Sequence, residues 1–175
     1  PDPWFGPKSA IQASSIDLHV GKIVLPDAEI GTLGWVANPL KELSLELGHT
    51  VVVLTKEELN LPNNIAAFGF PPSRLSFKGL LMTNPGHVDP GYRGVLRFTV
   101  MNIAKKPIML REGDSIVTLL FTSLDSDVGS GFARRRGLIY PVTGPSQQEV
   151  NRLSMDFLDV SSRASIAAEK AVDKA

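Results

Sequence analysis

The sequence predicts an all-β barrel or sandwich followed by a C-terminal helix, and three observations predict it. Short apolar runs recur at close spacing between turn residues as far as Phe121. Almost nothing before that point repeats with the 3.6-residue period of a helix. A helix start is written only after Pro145. Many short strands punctuated by Gly, Pro and Asn pack as a barrel or a sandwich.

Taken in order, Ser14 to Gly21 alternates apolar with polar residues and ends on glycine, which predicts a short strand with Asp17 on its polar face. Further strand candidates are Gly31 to Val36, Leu43 to Leu47, Thr50 to Leu54, Ile65 to Phe70 and Leu80 to Met82. Turn chemistry separates them at Pro39, Gly48-His49, Leu61-Pro62-Asn63-Asn64 and Pro71-Pro72. The most informative stretch runs from Asn84 to Phe121. Its head, Gly86-His87-Val88-Asp89-Pro90-Gly91-Tyr92-Arg93-Gly94, sets a carboxylate, a phenol and a guanidinium on a bend fixed by glycines and a proline. A strand follows, with Val95, Arg97, Thr99 and Met101 on one face and Leu96, Phe98 and Val100 on the other. The turn Arg111-Glu112-Gly113-Asp114 then leads into a strand over Ser115 to Phe121.

The tail changes character. Thr122 to Ser130 is polar, and Arg134-Arg135-Arg136 reads as a solvated charge cluster. Ser146 and Glu149 form a capping box, and Val150, Leu153, Phe157 and Leu158 recur at helical spacing, so the helix is expected to continue toward residue 174. The expected organisation is a β-domain over 1–122, a flexible segment over 123–144 and a helical appendage over 145–175.

Composition narrows the function classes. The chain has 175 residues, enough for one domain with a sizeable core, and its 18 basic and 18 acidic residues cancel. No long-range field is therefore expected, and no nucleic-acid polymer as partner. With no cysteine, disulfides and thiolate metal sites are excluded. No apolar run is long enough for a membrane helix. The first residues, Pro1 to Pro7, lack the basic start and apolar core of a secretory signal, and a cytoplasmic compartment is expected.

These residues resemble the superfamily of trimeric dUTPases and dCTP deaminases across roughly residues 11 to 121. Ile11-Gln12-Ala13-Ser14-Ser15-Ile16-Asp17-Leu18 is similar to the family's first motif in its deaminase form. Thr55 to Pro62 resembles the element before the second motif. His87 to Gly94 resembles the third motif, and Gly113 to Leu119 the fourth. The resemblance implies a distorted β-barrel or jelly-roll-like subunit, assembled as a homotrimer with nucleotide sites at the subunit boundaries. It implies that Asp89 orders the attacking water and that Tyr92 stacks under the deoxyribose. Asn84 would read the pyrimidine edge, with Ser73, Arg74 and Arg93 as further substrate contacts. Mg2+ would arrive on the substrate phosphates, with Asp17 as a candidate metal contact.

The same comparison implies departures. Deaminases of the family carry a glutamate where this chain has Thr99, and an arginine where it has Phe77. The second motif's phosphate-gripping arginine is replaced by Pro72, and the fourth motif's glutamine by Thr118. Three readings follow: a dUTPase-like pyrophosphatase acting on dUTP, a dCTP deaminase, and a catalytically silent trimeric binding module.

Overall fold

Period-two alternation decides where the core lies. The computed structural model describes residues 15–84, 86–129, 142–159, 162–163 and 165–166. Among them nine strands form: β1 (Ser15–Val24), β2 (Glu42–Leu45), β3 (Thr50–Asn60), β4 (Ile65–Phe70), β5 (Leu80–Met82), β6 (His87–Val88), β7 (Arg93–Asn102), β8 (Ile108–Arg111) and β9 (Ser115–Ser123). Two short helices join them, α1 (Ser73–Phe77) and α2 (Gln147–Val150). Along β7 every second residue is buried, so Leu96, Phe98 and Val100 face inward as the alternation predicts. They meet Leu18 and Val20 of β1, Val51 and Val53 of β3, and Val117 and Leu119 of β9 in one core.

Seven strands form an antiparallel sheet in the order β5-β7-β3-β1-β9-β4-β6, and β2 pairs with β8 in a separate ribbon. The sheet curls into an open barrel, and the ribbon contributes Leu45 and Leu110 to the same core. Three irregularities accompany the curl. The β1–β3 register shifts between Val20 and Lys22, the β3–β7 register between Leu54 and Glu58, and the β1–β9 register between Leu18 and His19. Such bulges bend a sheet and raise its twist. At the second one the Thr55 hydroxyl accepts the Leu96 N–H at 2.9 Å and donates to the Glu57 carbonyl at 2.9 Å.

The C-terminal segment covers the opposite face of β3. Val52 and Leu54, which alternation would turn to solvent, are buried with Val24 and Val150, and Leu153 packs alongside. Two bonds dock the segment on β7, Val95 N–H to Val142 O at 2.9 Å and Val142 N–H to Arg93 O at 2.9 Å. Only glycine permits this approach, because a Cβ on Gly94 (φ 122°) would lie 2.2 Å from the Val142 carbonyl oxygen. Gln147 ties α2 to the loop after β1, donating to Leu25 O at 2.9 Å and accepting from Val36 N–H at 3.0 Å.

Two expectations change. Gly31 to Val36 forms turns with an isolated Trp35–Asn38 bridge, since Gly31 and Gly34 take positive φ and break the alternation. The capping box on Ser146 and Glu149 is present, but α2 ends at Val150. The chain then peels away so that the Met155 carbonyl accepts the Thr50 N–H at 2.8 Å and Phe157 N–H reaches Gly48 O at 2.9 Å. Pairing with the start of β3 outcompetes a helix whose apolar side had no further surface to cover. Helical residues recur at 162–163 and 165–166; Arg134 to Arg136 and the first motif's Ile11 to Ser14 lie outside the described residues. Ser73 is the first residue of α1, and Pro72 holds the N-cap position.

Gly94→Ala is expected to destabilise the protein by about 1–3 kcal/mol, from strain at positive φ and displacement of Val142. Thermal unfolding and limited proteolysis between β9 and α2 measure it; an unchanged melting temperature would contradict the account. Glu149 supplies a pH dependence. Its carboxyl accepts the Ser146 backbone N–H, bonds the Ser146 hydroxyl and lies 3.5 Å from Arg97, which together hold it below its ordinary value of 4.5. A depressed carboxyl stabilises the folded state above the unfolded value and loses that contribution as pH falls through the folded one. Amides of Val142 to Leu153 should therefore exchange faster relative to β3 below pH 4.5, and Glu149→Gln should remove most of that difference.

Candidate active site

The bend between β6 and β7 is built by backbone bonds to the loop after β3. Gly91 N–H donates to Pro62 O at 3.1 Å, Leu61 N–H to Tyr92 O at 2.9 Å, and Tyr92 N–H closes the turn on Asp89 O at 3.1 Å. Asp89 has a side chain 20% exposed and lies 2.9 Å from the His87 Nδ1 through one carboxylate oxygen. The His87 ring in turn leans on Phe68, centroids 5.4 Å apart and tilted 55°. Residues i and i+2 of an extended chain share a face, so the spacing of His87 and Asp89 was the signal for this pair, although His87 reads from the sequence as a plain hairpin residue. Tyr92 is half-buried against the core and its hydroxyl donates to Val95 O at 2.5 Å. Arg93 is exposed beside it.

Asn84 sits across β7 from this turn. Its amide donates to Arg97 O at 3.0 Å and accepts from Thr99 N–H at 2.7 Å, so one carboxamide continues the ladder that β5 begins. Thr99 is half-buried there, and with Asn84, Arg97, Val52 and Glu149 it borders a cavity of about 180 Å3 closed by α2.

The remaining candidates gather elsewhere. Thr118 donates from its hydroxyl to Asp17 at 2.6 Å, and both align with Phe70 in one row across β1, β9 and β4. Ser73 opens α1 just beyond that row, and Arg74 reaches back to donate to Ser115 O at 3.1 Å. Val88 pairs with Ala67, three residues before Phe70 on β4, which is ~10 Å of strand, and the chain moves on from there to Asp89. One subunit therefore holds two groups, Asp89 with His87 and Tyr92 at one end of β4, and Asp17 with Thr118, Ser73 and Arg74 at the other. Among the described residues no three His, Asp or Glu side chains converge to hold a metal ion. None of the described helices is long and apolar enough to cross a membrane.

A family model described as dCTP deaminase-like matches residues 35–124, which take in α1, the Asp89 turn and β9. The chain belongs to the dCTP deaminase-like family, within the dUTPase and dCTP deaminase superfamily. Among curated relatives of this dCTP deaminase-like chain, a dUMP-forming dCTP deaminase of Hydrogenobaculum sp. is 29% identical over 126 residues, 67% of this chain and 71% of the relative. A deoxyuridine 5′-triphosphate nucleotidohydrolase of Leifsonia xyli is 42% identical over 81 residues, 45% of this chain and 53% of the relative. The crystal structure of 2′-deoxycytidine 5′-triphosphate deaminase from Agrobacterium tumefaciens shares the fold, with a TM-score of 0.53 at 22% identity over 66% of this chain and 41% of that one.

The Tyr92 hydroxyl gives this site a stability test. Tyr92→Phe strands the Val95 carbonyl and is expected to lower unfolding free energy by about 1 kcal/mol, measured as a lower urea midpoint at constant slope. No change would mean that the bond is exchanged for water without loss.

Proposed function

We propose that the chain is one subunit of a cytoplasmic homotrimer that hydrolyses dUTP to dUMP and pyrophosphate. The carrying observation is Asp89, held by His87 on a rigid Pro90-Gly91 turn with its second carboxylate oxygen left for a water. One placed carboxylate suffices for this chemistry, because phosphoryl transfer depends mainly on positioning and charge neutralisation. Asp89 accepts a proton from the water as its oxygen bonds to the α-phosphorus. The bond from that phosphorus to the bridging oxygen breaks, and pyrophosphate leaves with the electron pair. His87, 2.9 Å away, fixes the carboxylate's orientation. The Tyr92 ring offers its exposed side to the deoxyribose, with Arg93 and Asn84 as flanking contacts.

The substrate is the magnesium–nucleotide complex, whose cation neutralises phosphate charge. Asp17, which accepts the Thr118 hydroxyl, would be the metal contact at the phosphate end. Ser73 at the head of α1 would donate its hydroxyl to a phosphate oxygen, from a neighbouring subunit. Two observations support assembly. The candidate groups lie at opposite ends of β4, and the outer face of β4 and β9 between them is apolar and exposed, with Phe68 43%, Phe70 50% and Leu120 39% accessible. The 42% identity to a deoxyuridine triphosphate nucleotidohydrolase covers part of the chain and favours the same chemistry.

A second reading, dCTP deamination, is favoured by the family model and by relatives named as dUMP-forming dCTP deaminases. Thr99 counts against it, since a hydroxyl cannot relay protons at a pyrimidine ring as the family's glutamate does.

The deciding experiment follows pyrophosphate and ammonia release from dUTP and dCTP with Mg2+. Pyrophosphate from dUTP without ammonia from dCTP is expected, and Asp89→Ala should lower that rate at least about 10²-fold while leaving the oligomer intact. Ammonia from dCTP would establish the deaminase reading. Turnover of neither nucleotide would leave the chain as a binding or assembly module.

A further inference from the structure

Four cations surround one hollow of the molecule. A cavity of about 460 Å3 opens between α1, the loop after β7 and the β8–β9 turn, where Arg74, Lys78, Lys106 and Arg111 face a single carboxylate, Asp114. The chain as a whole carries 18 basic and 18 acidic residues, so placement and not composition concentrates this charge. Arg74 is aimed by its bond to Ser115 O at 3.1 Å. Arg111 shares its Nε with Glu42 at 3.1 Å, and Asp114 is occupied by the Arg111 backbone N–H at 2.9 Å. Neither Lys78 nor Lys106 pairs with a carboxylate among the described residues.

The spacing of the two lysines is fixed by the backbone. Gly79, at φ 87°, lets the end of α1 press on Ala104 so closely that a Cβ would sit 2.7 Å from that methyl, and Ile103 N–H bonds Gly79 O at 2.8 Å. Lys78 and Lys106 are thus held on two braced pieces of chain instead of being free to diverge. Like charges held together in this way raise the energy of the unliganded protein and are relieved by an anion. The inner wall is apolar, with Leu75, Leu110 and Ile116 buried and Met109 partly exposed at the mouth. Several cations on separate elements suit a chain of linked phosphates better than one phosphate, because each can meet a different group.

We propose that this hollow binds a polyphosphate chain, free or carried by a nucleotide, at a site complete within one subunit. It shares no lining residue with the Asp89 turn and only Arg74 with the group of Asp17, Thr118 and Ser73; its two lysines belong to neither, and it stands whether or not dUTP is hydrolysed.

Isothermal titration of the full chain with inorganic tripolyphosphate tests it. Lys78→Glu/Lys106→Glu should weaken binding at least about tenfold, and the neutral Lys78→Gln/Lys106→Gln pair should weaken it several-fold with its melting temperature retained. Asp89→Ala should bind as the wild type does, and added salt should weaken binding throughout. No binding by the wild type, unchanged binding in the Gln pair, or binding lost with Asp89→Ala would each overturn the proposal. Competition by a non-hydrolysable dUTP analogue identifies the source. Displacement that Met109→Ser weakens assigns the site to a nucleotide, whose body uses the apolar mouth; displacement that it leaves unchanged assigns it to the polyphosphate alone. Turnover of dUTP is not read at any step, so failure here is separable from failure of the hydrolase reading.

Discussion

A buried carboxylate, Glu57, holds the junction on which the sheet turns. It is 5% exposed, accepts the His19 backbone N–H at 2.8 Å and pairs with the His19 ring Nδ1 at 2.6 Å. Uncompensated, a carboxylate at this depth would cost several kcal/mol; two donors from β1 offset that. The location matters as much as the pair. Between Leu54 and Glu58 the residues Thr55, Lys56 and Glu57 stand opposite Leu96 alone on β7. Thr55 takes the Leu96 N–H that the interrupted ladder leaves over, and Glu57 binds the β1 side of the same gap. Bulged backbone would otherwise bury unpaired groups. With them satisfied, the sheet can curl around a single core.

The curl leaves β7 with a long outer edge, and three different devices cover it. Strand β5 pairs with Val100 to Asn102, the Asn84 carboxamide serves Thr99 and Arg97, and Val142 serves Val95 and Arg93. Each hides backbone donors and acceptors that could recruit another strand. On the proposed reading the Asn84 arm and the Asp89 turn serve one substrate, and both are tied to β7, the arm through Arg97 O and Thr99 N–H and the turn by leading into Arg93. Their separation is set by the backbone of β7 and not by flexible side chains. At the other mouth of the barrel the buried Asn102 does comparable work, donating to Leu45 O at 2.8 Å and Lys106 O at 2.9 Å and accepting from Ala104 N–H at 2.8 Å.

Where a local rule governed the outcome, the sequence was readable. Ile65 to Phe70 and Leu80 to Met82 are strands with the expected bounds, and the alternation of β7 placed Leu96, Phe98 and Val100 in the core. The turn at Asp89 was visible because Pro90 and Gly91 specify a bend whatever surrounds it. Non-local contacts were not readable. Phe157 and Leu158 have helical spacing from Val150, yet they lie in bends beside an isolated Asp156–His49 bridge, because Gly48 and Thr50 offer backbone partners to Phe157 and Met155 about a hundred residues away in the chain. Strand β8 and the two-residue β6 carry too little pattern to announce themselves and exist only through β2 and β4. Asp17 was placed on a polar face, but its bond to Thr118 spans 101 residues and no spacing rule reaches that far.

The two halves of the candidate site make the clearest case for reading placement over composition. A neutral chain gives no hint that cations gather beside α1 while Asp89 and His87 stand ~10 Å or more along β4 from Asp17. That interval is fixed by strand registry, which side-chain motion cannot close. On the proposed reading, a nucleotide spanning base to phosphate is completed by a second subunit, and the exposed Phe68, Phe70 and Leu120 lie on the surface that would bring it there. Burial of that apolar face would then drive assembly and complete the site in the same step. On that reading a subunit held apart would keep Asp89 oriented by His87 and still lack a phosphate grip on the same nucleotide, so catalysis would require association.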